Sequence, residues 1–161
     1  MNWTKWSSIT EIASTLAIAG TLIYLVIQTQ QNSNAINSAA RQALMLADVG
    51  LLLERSSDPE RLLLWCSNEV TPEEDIKRSS EMLAIYRIRE IAWLQYRSGV
   101  LDEATWQSYA VILSTAQFSD PARAWWEATS EIYDREFVEY VNTYVRENPS
   151  IYAPCSEYFS N

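Results

Sequence analysis

Uncharged, largely apolar residues run unbroken from Ile12 to Ile27, IASTLAIAGTLIYLVI. Ser7 to Thr10 precede the run uncharged, with Glu11 interposed. A helix rises about 1.5 Å per residue, so Ser7–Ile27 reaches roughly 30 Å, the thickness of a bilayer's hydrocarbon core. Beyond it Gln28 to Asn34 is polar and uncharged. From Ile36 to Arg55 apolar positions then recur at Ala39, Ala43, Leu46 or Ala47, Val49 and Leu53, a spacing that predicts one buried face on a helix continuing out of the span.

Past Arg55 the chain is punctuated into helices. Asp58-Pro59 predicts a cap and a short helix to about Cys66. Thr71-Pro72-Glu73-Glu74 has the spacing of a capping box, and it opens a helix in which Met82, Ile85, Arg89, Ala92 or Trp93, and Tyr96 share a face up to a terminating Gly99. Asp102 is expected to cap a helix from Glu103 to about Ala116, Asp120-Pro121 another carrying ARAWWE, and Asp134 a last one from Arg135 to Glu147. The tail SIYAPCSEYFSN reads as irregular.

Only three glycines and five prolines occur in 161 residues, and no run of β-branched residues is bounded by turn signals. The expected fold is therefore all-α: residues 1–31 form a single N-terminal transmembrane anchor helix, and residues 32–161 a small helical-bundle domain with an irregular C-terminal tail. Trp3 and Trp6 at one end of the span and Tyr24 near the other suit the headgroup boundary, where amphipathic rings are favoured. Ala13, Ala17 and Thr21, with Gly20 adjacent, form a small-residue stripe on which another helix can pack. A buried helix of a soluble protein and a cleaved signal peptide are the competing readings of the apolar run, the latter without an A-x-A-like site close behind. Lys5 and the amino terminus favour an inside N-terminus, and Arg41 stands on the other side of the span.

The net charge of −9 lies wholly beyond residue 50, since Lys5 and Arg41 cancel Glu11 and Asp48 before it. An acidic domain repels phosphate backbones, so nucleic-acid binding is not expected. The basic residues Lys77, Arg78, Arg87, Arg89 and Arg97 read as neutralised by acidic neighbours on adjacent helices, with a partner patch the alternative. With no histidine, the usual neutral-pH base, His-based metal sites and Ser-His or Cys-His pairs are absent. Glu73, Glu74 and Asp75 fall in a first helical turn, where the helix dipole favours carboxylates, so no metal or other cofactor is expected. Cys66 and Cys155 lack metal or redox spacing and read first as buried small residues. A disulfide between them is the alternative, and it implies an oxidising compartment.

Five segments, TLIYLVIQTQQN, SSDPE, YRSGVLDEATW, ARAWWE and FVEYV, together resemble an uncharacterised family of small bacterial proteins with one N-terminal apolar helix and a helical domain. The resemblance covers most of the chain. It implies a single-pass protein of the bacterial cell membrane with the domain on the cytoplasmic side, and it transfers no catalytic residue. The chain departs from the family pattern in having no basic residue in QTQQN.

The expected role is non-enzymatic, an anchored accessory subunit that docks onto a larger membrane complex or onto its own copies. Consecutive Trp125 and Trp126 point about 100° apart on a helix, so one of them is a candidate partner surface. The alternative is an enzyme or small-ligand binder with an aromatic pocket built on Arg87, Arg89, Glu90 and Tyr96. A third reading is an oligomeric pore using Glu11.

Overall fold

The computed structural model describes residues 3–58, 64–67 and 69–150, all of it helix, turn and coil with no strand among the described residues. In order along them come five α-helices: α1 (Trp3–Ser56), α2 (Pro72–Arg97), α3 (Glu103–Ala116), α4 (Asp120–Thr129) and α5 (Arg135–Glu147), with a 3-10 turn, Ser130–Ile132, between the last two. The chain forms two compact units, residues 1–40 and 41–161. The side chains of Trp3 and Trp6, most of the short helix expected from Pro59, and the tail from residue 151 onward lie outside the described residues.

The first unit is helix throughout its described length, and Leu16, Ile18 and the run from Leu22 to Ile27 carry their side chains exposed. This is one helix long and apolar enough to cross a membrane. Tyr24 is exposed with it. Within the run Thr15 and Thr21 donate their hydroxyls to carbonyls four residues back, Glu11 and Ala17, so neither leaves a donor unsatisfied in an apolar setting.

In the second unit the local signals act as their chemistry requires. The Thr71 hydroxyl accepts from the Glu74 amide at 3.3 Å while the Thr71 amide donates to the Glu74 carboxylate at 2.7 Å, closing the capping box. These bonds also hold the Glu74 carboxyl below the usual range, its backbone bond to Thr71 first among the causes. Gly99 adopts φ 77°, the left-handed geometry that costs other residues more, and the amides of Val100 and Leu101 turn back to Gln95. Asp102 and Asp134 cap α3 and α5. The cap of α4 is Ser119 and not Asp120: Ser119 has the extended backbone a cap needs and accepts from the Ala122 amide, which leaves Asp120 inside the first turn, paired with Arg123.

The core gathers around α2, whose Met82, Ile85, Tyr86, Ala92 and Trp93 are all buried. Trp106, Ala110 and Leu113 of α3 and Phe137 and Val141 of α5 pack against it. Aromatic rings do much of the filling: Trp126 stacks on Tyr86 at 4.3 Å, Phe137 meets Trp93 at 5.8 Å, and Tyr96 stacks on Trp106 at 6.0 Å. Three of the tryptophans have their ring N–H groups satisfied within the fold. The ring N–H of Trp106 donates to the Tyr140 hydroxyl, that of Trp126 to Asn142, and that of Trp65 to Glu81.

Residues 41–56 of α1 belong to this second unit, and the face they bury corrects the one expected from apolar spacing. Ala43, Leu46, Val49 and Leu53 are exposed. The docked face is Leu44, Asp48, Leu51 and Arg55, of which only Leu44 is fully buried. Two charged residues on that face hid it from a reading based on apolar periodicity. Each has a partner on α2, so burial is compensated.

Burial pushes the Tyr86 and Tyr133 hydroxyls well above the ordinary tyrosine value of 10.0, with Arg87 opposing the shift at Tyr133. The folded state therefore favours their protonated form, and the stability this contributes is complete below about pH 10 and lost as pH rises beyond it. Melting temperature measured between about pH 8 and about pH 11 is expected to hold and then fall, with the fall reduced in Tyr86→Phe. An equally steep alkaline fall in that variant would remove Tyr86 from the explanation.

Candidate functional site

The chemistry-bearing side chains of the second unit collect along the seam between α2 and residues 41–56 of α1. Two Arg41 nitrogens, Nε and Nη2, donate to the Val100 carbonyl, at 2.8 and 2.6 Å. About two turns further along α1, Asp48 accepts from Arg89 of α2 at 2.5 Å, with the arginine only 3 % exposed. Burial lowers the Arg89 pKa and the Asp48 charge raises it. Near the end of α1, Arg55 pairs with buried Glu81 at 2.7 Å and lies over the Trp65 ring, 5.1 Å from its centre. Three polar contacts thus fasten this part of α1 to the rest of the unit.

A second ionic knot sits on another side of α2. Buried Glu90 accepts from the Asp134 amide at 2.6 Å and from Arg87 at 2.5 Å, and Arg87 in turn lies over the Tyr133 ring and reaches the Ile132 carbonyl. Glu90 therefore ties the start of α5 to α2. Tyr96 bonds to Glu103, which holds the Glu103 carboxyl down.

These placements bear on the pocket expected from Arg87, Arg89, Glu90 and Tyr96. The structure directs Arg89 to α1, Arg87 and Glu90 to the start of α5, and Tyr96 to α3, so the four do not converge on one cavity. A cavity of about 300 Å³ lies elsewhere, as an open groove between the end of α1 and the start of α2, walled by Leu51, Arg55, Ile76, Lys77, Ser80 and Glu81. Its volume is at the lower end of the range for small-ligand sites. Arg55 and Glu81 hold each other across it, and Lys77 pairs with Glu73 at 3.0 Å. The acidic triplet divides likewise, with Glu73 to Lys77, Glu74 to its cap and Asp75 to Arg78. No group of three or more potential ligands gathers among the described residues.

No known protein family, curated protein or solved structure matches this chain.

Of the paired tryptophans, Trp126 is buried at 3 % exposure and Trp125 is half-buried, stacked 5.9 Å from Tyr86. Ala13, Ala17, Gly20 and Thr21 are all exposed on α1, and a methyl group added at Gly20 would meet nothing within 4 Å. Sequence reasoning missed the seam of Leu44, Asp48, Leu51 and Arg55. Its signal was present, since these positions fall at intervals of four, three and four, but a search for apolar residues alone skips the aspartate and the arginine.

Cys66 is disulfide-bonded. It is half-buried, not the buried free thiol expected first. The chain's one other cysteine, Cys155, lies outside the described residues.

Proposed function

We propose that this protein is a membrane-anchored, non-enzymatic interaction or accessory subunit, held in a bacterial cell membrane by the helix within residues 1–31 and presenting the helical domain as a docking module. The observation that carries this reading is the bare apolar surface of Leu16 to Ile27, which water alone would not tolerate. The domain's ionic groups meanwhile serve its own cohesion, as the seam pairs do, and at the open groove Arg55 pairs with Glu81 and Lys77 with Glu73.

Redox chemistry supports a reading of the side of the membrane. A disulfide at Cys66 persists in an oxidising compartment and is reduced in most cytoplasms. This favours the outer face for the domain, against the cytoplasmic side implied by the family resemblance, and it agrees with Lys5 and the amino terminus remaining inside. In intact cells an impermeant maleimide is expected to label the protein only after an external reductant. Labelling that requires cell lysis would put the domain inside.

Isolation from native membranes in mild detergent tests the role itself. The expected result is a complex that survives washing, and a chain that always runs as a lone monomer would refute it. Carbonate washing should leave the full chain in the membrane fraction. Deleting residues 1–30 should release a soluble domain with unchanged melting behaviour, because Leu44 and the seam pairs all lie beyond the cut. Release of unfolded chain would show that the anchor contributes to the domain's fold.

A further inference from the structure

Residues 41–56 of α1 turn one face to their own domain and leave the reverse face bare. Leu46 and Leu53, at 69 % and 65 % exposed, lie opposite the docked face of Leu44, Asp48, Leu51 and Arg55, with Met45, Val49 and Leu52 exposed beside them. From this arrangement we infer that the bare face is a helix-pairing surface for a second copy of this chain, in parallel. The inference rests on the subunit reading and names the partner.

Three observations favour a copy of itself over an unrelated protein. The first is spacing. Ala43, Leu46, Gly50 and Leu53 fall at alternating intervals of three and four, and the same register read back along the sequence takes in Ile18, Leu22, Leu25, Thr29, Asn32, Ile36 and Ala39 without a break. A sustained repeat of this kind is the mark of a coiled-coil seam. Two copies anchored in one membrane share an orientation, so like positions meet like. Asn32, a polar residue within the repeat, is then satisfied by its own counterpart, which an unrelated apolar helix would not supply; Thr29 already donates to the Leu25 carbonyl of its own helix.

The second is Gly50. A glycine in a helix interior is unfavourable, and here a methyl group would meet nothing within 4 Å, so the fold of one chain gives no reason for it. Close approach of a second helix does. The third is area. The exposed large side chains of the repeat, Ile18, Leu22, Leu25, Ile36, Leu46 and Leu53, present on the order of 500 Å² per copy, so two copies reach the roughly 1,000 Å² expected of a specific interface.

The test is the mass of the full chain in mild detergent, with the detergent's contribution separated by light scattering and refractive index. The wild type should have twice the mass of one chain. Leu46→Glu/Leu53→Glu should halve it while leaving the helical circular dichroism and melting temperature unchanged, and Ile91→Glu/Leu94→Glu, an equal number of exposed apolar side chains lost on α2, should stay double. Should the double variant fail to fold, Leu46→Cys is to be oxidised in membranes, where it should crosslink chain to chain while Met45→Cys does not. Double mass in a folded Leu46→Glu/Leu53→Glu variant, or equal crosslinking at both positions, overturns the seam. A monomeric wild type that brings a different protein with it overturns self-pairing and leaves the subunit reading intact, whereas a lone monomer removes both.

Discussion

Replacing Trp93 by alanine is expected to cost about 3 to 5 kcal/mol, the range for deleting a large aromatic side chain from a packed core. Trp93 is 5 % exposed in the middle of α2, its ring set against Phe137 of α5 and covered by the Arg97 guanidinium, 4.9 Å from the ring centre. Truncation leaves a void between two helices that cannot close over it, because Glu90 ties α2 to the start of α5 and Asp48 ties it to α1. A small domain has only some 5 to 15 kcal/mol of stability in all. Chemical denaturation of the full chain in detergent should show the midpoint collapsing for Trp93→Ala and falling much less for Trp93→Phe. A loss below about 1 kcal/mol in the alanine variant would mean that the ring is not packed against Phe137.

The second large effect is electrostatic. Asp48→Ala strands the Arg89 guanidinium, almost wholly buried, without the carboxylate that compensates its charge, and removing one partner of such a pair typically costs about 3 to 5 kcal/mol. Part of Asp48 reaches solvent, its side chain being 21 % exposed, which places the expectation at the lower end. The contribution of the pair as a whole is another matter. Asp48→Ala combined with Arg89→Leu removes both charges and should recover most of the loss, since the penalty lies in the orphaned cation and not in the missing bond. Measured as a double-mutant cycle, the two substitutions should therefore be strongly non-additive. Additive losses would show that Arg89 finds other solvation when Asp48 is gone.

The seam that Asp48 and Arg89 hold is also what separates the two faces of α1. With Leu44 and Leu51 turned inward beside them, Leu46 and Leu53 must face outward, because the helical repeat sets these pairs on opposite sides. The exposed surface proposed as a pairing site is thus a consequence of where the ion pairs fall.

The features legible from residue order alone are local. The capping box at Thr71, the left-handed Gly99, the caps at Asp102 and Asp134 and the unbroken apolar run to Ile27 each depend on residues within a few positions of one another, and the structure has all of them. The burial of Trp93 and its stripe was legible for a similar reason, since apolar residues at threes and fours mark a core face. Even Ser119 in place of Asp120 is a shift of one position between two residues that both cap well. Whatever depends on a partner far along the chain was settled only by folding. Which face of α1 docks turned on Asp48 meeting Arg89, 41 residues away, and on Arg41 meeting Val100, 59 away. The separation of Arg87, Arg89, Glu90 and Tyr96 into different contacts arose the same way, from helices arriving on several sides of α2. A charged residue on a helix gives no sign in sequence of whether water or an opposite charge will receive it, and the difference between those outcomes is the energy of a long-range pair that exists only once the chain has folded.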